Sequence, residues 1–343
     1  MNPRTGVLLT QLGTPNGHEV KHVRPYLRQF LSDPRVIDVP WLLRMFLVNL
    51  IIAPFRAPKS AKIYKELWEI GEGASPLKTI TTDLVAKLNE RLVDENITVH
   101  MAMRYQNPSM ESVLAEMKNE NYDKIVILPM FPHYASSSSG SAIQKALEII
   151  SQWWVIPDLV SVSQFYTEEF YIDTLVEQAK KHDIDSYDHV IMSYHGLPER
   201  HVDKVYEAKT DLCADHKCET VLDDTNKYCY KATSFETSRL IAAKLGLKAE
   251  DYTVAFQSRL DKKWLEPFSD EVITDYAKSG MKKLLVFSPA FVADCLETII
   301  EIGDEYQEIF TEHGGEVVQL VASCNTEETW VSGLADFIRA KSN

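Results

Sequence analysis

The sequence predicts an α/β fold with two similar lobes, each built on a four-stranded parallel sheet flanked by helices. Short runs rich in β-branched residues alternate with longer segments of helical period, which is the pattern of parallel strands joined by crossover helices. With 343 residues and 45% hydrophobic content, the chain can bury two separate cores. The eight candidate strands divide evenly between the lobes and are residues 7–12, 98–103, 124–129, 159–162, 189–194, 253–257, 283–287 and 317–322.

Two internal echoes relate the halves of the chain. Residues 7–15 read like residues 190–198, and residues 124–131 read like residues 283–291, in the same order. Matching strand-turn units in both halves predict two related lobes. The expected organisation is an N-terminal lobe over 1–155, a C-terminal lobe over 156–326 and a C-terminal helix over 327–343 that packs back on the first lobe.

Charge and cysteine content narrow the class of protein. The formal net charge of -14 argues against a nucleic-acid surface, which needs clustered Lys and Arg, and is compatible with a cationic ligand. Five unevenly spread cysteines do not suit a secreted disulfide scaffold. The N-terminus leads directly into an apolar strand candidate without the pattern of a secretion signal. We therefore expect a cytoplasmic protein.

Residues 41–55 form the most apolar segment. Arg44, Asn49 and Pro54 interrupt it, and it falls short of the ~20 apolar residues that span a bilayer. It is therefore expected to be either a buried helix or an exposed lip that touches a membrane surface or an apolar substrate. Peripheral contact with the inner membrane would suit the cations around it, which are Arg28, Arg35, Arg44, Arg56 and Lys59.

A histidine ends the fifth strand candidate. His195 is followed at once by Gly196 and, after one residue, by Pro198, which turn the chain at the edge where α/β sheets build their ligand sites. Such a histidine is either a structural turn residue or a catalytic base or ligand. Its reference pKa of about 6.5 suits proton abstraction near neutral pH.

An acidic row follows the seventh strand candidate. Its members recur at steps of three and four, so an α-helix would place them on one face; they are Asp294, Glu297, Glu301, Asp304 and Glu308. The row is either a solvated helix face or a cation site, because like charges at one-turn spacing repel unless a cation lies among them.

Two further positions in the first half suit an anion. Residues 132–141 follow the third strand candidate and lead into a helix. The backbone amides at the start of that helix can bind a carboxylate or phosphate; alternatively, the polar residues before it only cap the helix. Arg104 and Tyr105 end the second strand candidate, where Arg104 could hold a carboxylate through two hydrogen bonds. The chain carries neither the glycine-rich dinucleotide motif nor a P-loop, so no nucleotide site is expected.

Three of the five cysteines cluster in a polar insert. Cys213, Cys218 and Cys229 lie near His216 and two aspartates, without a C-x-x-C pair. We predict zinc or cluster ligation rather than plain burial. His216, Ser234, an aspartate or a partner could supply a fourth ligand.

Seven ordered motifs resemble the ferrochelatase family, whose members insert Fe²⁺ into a porphyrin. They cover nearly the whole chain and lie at residues 12–15, 73–77, 104–105, 129–140, 193–198, 257–259 and 291–301. The resemblance implies two Rossmann-like lobes without a nucleotide and a porphyrin in the cleft between them. It implies a lyase that makes protohaem from protoporphyrin IX and ferrous iron, acting as a monomer or homodimer.

The resemblance also assigns roles to matching positions. It makes His195 the acceptor of pyrrole protons or a metal ligand, with Glu297 opposite, and Glu301 and Asp294 continuing the metal path. The porphyrin contacts that it implies are Leu12, Arg104, Tyr105, Phe131, Ser193 and Trp264. Cys295 departs from the histidine that many relatives carry, so a histidine-dependent metal delivery cannot be transferred to this chain.

Some relatives hold a [2Fe–2S] cluster, and this chain has an internal cysteine segment but only three of the usual four thiols. The cluster is therefore an expectation beside zinc. The competing functions are a chelatase for another tetrapyrrole, such as coproporphyrin or a cobalt corrinoid precursor, and a haem carrier without catalytic activity that uses His195 as its axial ligand.

Overall fold

The computed structural model, which describes residues 3–206 and 212–343, confirms the predicted fold class. It contains two four-stranded sheets, and every strand pair in them is parallel. Their orders are β2-β1-β3-β4 and β6-β5-β7-β8, so the two sheets have the same topology. The strands that echo one another in sequence therefore occupy equivalent places.

The first sheet is buried under helices on both faces. Its strands are β1 (Thr5–Gly13), β2 (Ile97–Tyr105), β3 (Lys124–Pro129) and β4 (Asp158–Ser161). In register, Leu8 of the central strand β1 lies beside His100 of β2 and Ile127 of β3. Leu8 and Ile127 are fully buried, as the continuous apolar runs of these strands predict for a covered parallel sheet.

The second sheet repeats this arrangement. Its strands are β5 (His189–His195), β6 (Tyr252–Gln257), β7 (Lys283–Phe287) and β8 (Val317–Leu320). His195 at the end of β5 pairs with Gln257 at the end of β6. Because all four strands are parallel, the residues that follow β5, β6 and β7 gather at one edge of the sheet.

The helices cover both sheets. Around the first sheet lie α1 (Val20–Leu31), α2 (Trp41–Phe46), α3 (Ala53–Ile70), α4 (Pro76–Leu92), α5 (Met110–Asn119) and α6 (Ser141–Ile150). Around the second lie α7 (Glu169–Ala179), α8 (Glu199–Asp203), α9 (Tyr230–Leu245), α10 (Ser269–Lys278) and α11 (Tyr306–Glu312), and α12 (Glu328–Ser342) ends the chain.

The chain divides into two compact units. The first consists of Met1–Phe131, Ser136–Gln164 and Val331–Asn343, and the second of Pro132–Ala135 and Phe165–Trp330. The first unit thus includes most of α12, whose Arg339 side chain donates to Glu95 Oε1 at 2.7 Å.

Three helical segments are π-helices, in which backbone hydrogen bonds run from i to i+5. One, Leu47–Ile52, joins α2 to α3. The other two follow equivalent strands: Ser136–Gly140 comes after β3, and Glu297–Glu305 comes after β7. π-Helical turns are rare in proteins, and those that do occur are frequently found at functional sites. The acidic row of the sequence therefore lies mainly on a π-helix rather than on the expected α-helix.

Candidate active site

His195 lies at the carboxyl edge of the second sheet, and one of its ring nitrogens is hydrogen-bonded to the backbone. Its Nδ1 is 2.7 Å from the carbonyl oxygen of Gly196. A carbonyl can only accept, so Nδ1 carries the proton of the neutral ring and Nε2 carries the lone pair. The half-buried ring lies 6.5 Å from Trp264 and 6.4 Å from Phe291, measured between ring centroids. Nε2 is thus a base or a metal ligand in apolar surroundings.

Gln257 connects this histidine strand to the acidic helix. Its carbonyl accepts a 2.7 Å hydrogen bond from the Gly196 amide, and a Cβ at Gly196 would come within 2.8 Å of that oxygen. Only glycine therefore allows this approach. The Gln257 side-chain amide donates to the Glu301 carboxylate at 3.1 Å and to the Glu297 carbonyl at 3.2 Å. One buried amide thus fixes the helix relative to the end of β5.

Glu297 and Glu301 form a pair of carboxylates near His195. Burial is the largest cause of a raised pKa at Glu301, and the charge of Glu297 raises that pKa further. Ser258, His195 and Gln257 act in the opposite direction, and Ser258 Oγ donates to Glu301 Oε2 at 2.5 Å. A carboxylate held in this way readily exchanges a proton or accepts a cation.

The rest of the acidic row does not join this pair. A π-helix has more than four residues per turn, so Glu301 stays on the side of Glu297 while Asp304, seven residues beyond Glu297, turns away. Asp304 and Glu308 are exposed.

Asp294 is instead engaged with the loop after β8. Its carboxylate accepts from the Ser323 amide at 3.1 Å and from the Asn325 side chain at 2.6 Å. These bonds hold Asp294 against the loop after β8, and its place in the metal path stays a prediction.

Ser193 also lies behind the site rather than in it. Its side chain has no exposed surface, and its hydroxyl donates to Gln257 Oε1 at 2.8 Å and lies 2.9 Å from Ser269 Oγ. Ser193 therefore supports Gln257, and its expected contact with a porphyrin stays a prediction. Trp264, by contrast, is half-buried beside His195.

The expected anion site in the first unit already holds a carboxylate of the chain. Asp33 Oδ2 accepts from Arg104 at 2.7 Å, from the Tyr105 hydroxyl at 2.8 Å and from Ser141 Oγ at 2.5 Å. Tyr105 is fully buried and bonded to Asp33, and the contact with a porphyrin that we expected of it stays a prediction. Burial opposes ionisation of Asp33, but bonds from Ser141 and Arg35 and the Arg104 charge lower its pKa.

His133 in the neighbouring loop is a neutral core residue. Burial lowers its pKa to about 3, and its Nε2 lies 2.8 Å from Thr237 Oγ1.

Arg104 and Arg28 line an open pocket of about 600 Å³ in the first unit, together with Gln29, Met45, Asn49 and Gln106. Arg28 is exposed there. Leu12 is half-buried against the hydrophobic cluster that includes Tyr105, and Phe131 is half-buried at the end of β3. The pocket offers cationic and apolar groups for the edge of an anionic aromatic ligand.

We predict that Asp33→Ala lowers the free energy of unfolding by about 3–5 kcal/mol, since it leaves the largely buried Arg104 charge without its carboxylate. The lowered pKa means that the wild-type interaction is present above the unfolded value of about 3.9 and is lost as pH falls through the folded pKa. Denaturant unfolding at pH 7 and in acid would measure both effects. Glu120→Ala, which breaks the exposed pair with Arg4, should cost less than about 1 kcal/mol; an equal cost would contradict the argument.

The three cysteines of the insert meet in the second unit. The Sγ–Sγ distances are 4.0 Å between Cys213 and Cys218, 3.5 Å between Cys213 and Cys229, and 3.8 Å between Cys218 and Cys229. All three are buried. Among the described residues, they form one group of thiols able to hold a metal ion.

The apolar segment forms the first half of a helix over Trp41–Ile70 that is long and apolar enough, by length and composition alone, to cross a membrane. Most of its large exposed apolar side chains lie in its first half, and Ile70 is exposed at its end. Those of the first half are Trp41, Leu42, Leu43, Phe46, Leu50, Ile51 and Phe55. Arg44 is buried and donates to the Ile37 and Val39 carbonyls, so it is not among the surface cations that we expected.

Three supporting residues were not assigned roles from the sequence. Asp33 carries no local signal, because its partner Arg104 lies 71 residues away. Gln257 and Ser258 lie in a motif at the end of β6, and a polar pair at that sheet edge was the signal that could have revealed them.

Comparisons with known proteins place the whole chain in one family. A family model described as ferrochelatase matches residues 4–342. A ferrochelatase of Legionella pneumophila (strain Lens) is 40% identical over 336 residues, which cover 98% of each chain. A ferrochelatase of Coxiella burnetii (strain Dugway 5J108-111) is 40% identical over 337 residues, covering 97% of this chain and 93% of the relative.

A solved structure shares the fold at low sequence identity. SirB from Bacillus subtilis with Fe³⁺ aligns with a TM-score of 0.53 and 9% identity, covering 99% of this chain and 96% of that one. At this identity the likeness bears on the fold alone. The family model and the relatives, matched over nearly the full length, show that this chain belongs to the ferrochelatase family, whose members are metal-chelatase lyases.

Proposed function

We propose that this protein inserts Fe²⁺ into protoporphyrin IX to form protohaem, the last step of haem biosynthesis. The observation that carries the proposal is the pairing, at one sheet edge, of His195 with the half-buried carboxylates Glu297 and Glu301. Membership of the ferrochelatase family supplies the reaction class.

Proton removal is the part that we assign to His195. A porphyrin carries two pyrrole N–H protons that must leave before the metal is bound within the ring. The bond from Nδ1 to Gly196 keeps the lone pair on Nε2, where it can accept such a proton. The aromatic rings of Trp264 and Phe291 flank the imidazole and offer an apolar wall for the macrocycle.

Metal desolvation is the part that we assign to Glu297 and Glu301. Aqueous Fe²⁺ holds its waters, and carboxylate oxygens can replace them one at a time. Gln257 and Ser258 hold Glu301 in place from the side, which keeps its carboxylate positioned without a cation. We therefore propose a short metal path made of Glu301, Glu297 and His195.

Cationic and apolar side chains are the porphyrin contacts that we propose. Arg28 and Arg104 give the pocket of the first unit a positive charge that suits propionates, although Arg104 also serves Asp33. Leu12 and Phe131 are half-buried apolar side chains of the same unit, and Trp264 is a half-buried aromatic side chain of the second unit. Binding energy from the periphery of the ring can support the distortion that exposes its nitrogen lone pairs.

The direct test is a fluorescence assay of protoporphyrin loss on addition of Fe²⁺ under argon. We expect protoporphyrin fluorescence to fall while haem absorbance rises. Turnover of protoporphyrin should be faster than turnover of coproporphyrin or of a metal-free corrinoid precursor measured in parallel. Faster turnover of another tetrapyrrole would replace the assigned substrate. Tight haem binding with unchanged protoporphyrin and Fe²⁺ would instead establish a carrier. We also expect Zn²⁺ to be inserted in vitro, because N and O ligands bind it strongly.

We propose peripheral membrane contact through the exposed apolar half of the Trp41–Ile70 helix. Trp41 and Phe55 are 63% and 75% exposed, and Arg56 and Lys59 follow on the same helix as exposed cations. The double substitution Trp41→Ser and Phe55→Ser should lose co-sedimentation with vesicles containing anionic lipid. Trp154→Ser is the matched control, since Trp154 is 98% exposed outside this helix. Equal loss in both variants, or no binding by wild type, would contradict the assignment.

We propose further that Cys213, Cys218 and Cys229 hold a resident metal centre. Three buried thiols with mutual Sγ distances of 3.5 to 4.0 Å form a ligand group that suits a soft metal. The sequence is compatible with either zinc or a [2Fe–2S] cluster at these cysteines. Either one would hold the insert in place before α9.

A further inference from the structure

We infer that the triad of Cys213, Cys218 and Cys229 is a mononuclear thiolate site for Zn²⁺ and does not fit a [2Fe–2S] cluster. This inference rests on the proposed metal centre but not on the chelatase reaction. Thiolates bound to one tetrahedral zinc at about 2.3 Å are separated by about 3.8 Å, the edge of the tetrahedron. All three Sγ–Sγ distances, 4.0, 3.5 and 3.8 Å, lie close to that edge.

A two-iron cluster requires a different spacing. Each iron in an all-cysteine [2Fe–2S] centre binds two thiolates, so any three of the four ligands include pairs that span both irons. Such pairs are separated by far more than one tetrahedral edge. The described triad contains no wide pair, and the fourth thiol that a cluster requires is not grouped with it among the described residues.

The surroundings of the sulfur atoms suit a buried thiolate centre. Tyr206 Oη lies 3.5 Å from Cys218 Sγ, and the Asn226 side-chain amide donates to that sulfur at 3.6 Å. Cys229 occupies the N-cap of α9, where the helix dipole is positive, and this stabilises the net negative charge of a zinc with three thiolates. Bonds of this kind orient ligands around a metal.

The candidates for a fourth protein ligand have other contacts. The ring of His216 stacks on Tyr206 with centroids 4.3 Å apart but does not join the group of sulfurs, and Ser234 Oγ donates to the Tyr230 carbonyl at 2.8 Å. Among the described side chains, which do not include that of Asp215, no His, Asp or Glu ligand atom joins the three sulfurs within the 4.8 Å that defines their group. The described chain thus supplies three thiolates to a four-coordinate ion, whose remaining position suits a water. A d¹⁰ ion without redox chemistry fits this soft, preformed, tetrahedral set.

Metal and sulfide analysis of the full chain, purified without oxygen or porphyrin from cells supplied with iron and zinc, tests this inference. We expect about one zinc per chain, no acid-labile sulfide and no visible absorption band. X-ray absorption at the zinc edge should show about three sulfur neighbours at about 2.3 Å. Two irons with two sulfides per chain, or a protein without stoichiometric metal, would overturn the proposal.

Substitutions distinguish a zinc ion at the cysteine triad from a zinc ion bound at the reaction site. Cys218→Ser should lose the bound zinc, and Cys324→Ser, which alters another buried cysteine of the same unit, should retain it. The double variant His195→Ala and Glu297→Gln should also keep one zinc with its sulfur neighbours; loss there would place the metal at the chelatase groups instead. If Cys218→Ser does not fold, Co²⁺ exchange into wild type remains decisive: thiolate-to-cobalt charge-transfer bands support the triad, and spectra of oxygen or nitrogen ligation alone contradict it.

Discussion

Replacing His195 with alanine is expected to lower kcat for Fe²⁺ insertion by about 10²–10⁴-fold, the usual contribution of a positioned general base. The substitution removes the Nε2 lone pair while leaving the surrounding rings of Trp264 and Phe291. The affinity for porphyrin should change little, because the macrocycle is held mainly by groups at its periphery. Anaerobic steady-state kinetics with protoporphyrin and Fe²⁺ would separate kcat from KM.

His313→Ala is a matched control for this experiment. His313 also places Nδ1 near a backbone carbonyl, 2.9 Å from Ile309 O, but it is exposed at the end of α11. The control should retain wild-type kinetics and stability. Near-normal turnover in His195→Ala, with the fold intact by circular dichroism, would remove this residue from the mechanism.

The fold was predictable from the sequence because its sheets are parallel and covered. Strands buried on both faces appear as continuous apolar runs, and β3 and β7 have the predicted bounds of 124–129 and 283–287. The echoes at 7–15 and 190–198 fall on β1 and β5, which occupy equivalent places in the two sheets. Local pattern was sufficient here, since each strand carries its own apolar signal.

The supports of the candidate site were less predictable, because a linear pattern does not reveal which groups a side chain meets. The sequence suggests that Arg104 is available to bind an anionic ligand. Its guanidinium is instead paired with Asp33, which is remote in the sequence. Ser193 and His195 are two residues apart and share a face of β5, but His195 ends the strand while Ser193 lies within it. The Ser193 hydroxyl is covered there and bonded to Gln257, which the spacing alone does not reveal.

The acidic row shows how backbone geometry changes the interpretation of a spacing. Steps of three and four predict one α-helical face, but Glu297–Glu305 is a π-helix. Its slower winding keeps Glu297 beside Glu301 and moves Asp304 to solvent. The row is thus divided into the half-buried pair Glu297 and Glu301, the exposed Asp304 and Glu308, and Asp294, which is bonded to the loop after β8. Glu301 of the pair interacts electrostatically with His195.

Glu297→Gln tests that division and is expected to lower kcat/KM for Fe²⁺ by about 100-fold. The amide keeps the shape of the side chain but removes the negative charge that attracts the cation, and loss of about 3 kcal/mol corresponds to this factor. The backbone bond from Gln257 to the Glu297 carbonyl should survive, so the π-helix should remain in place. Asp304→Asn removes an equal charge from the exposed part of the same row and should leave kcat/KM within about twofold. Equal losses in the two variants would mean that the row acts only through its overall field, and unchanged kinetics in Glu297→Gln would exclude Glu297 as a metal ligand.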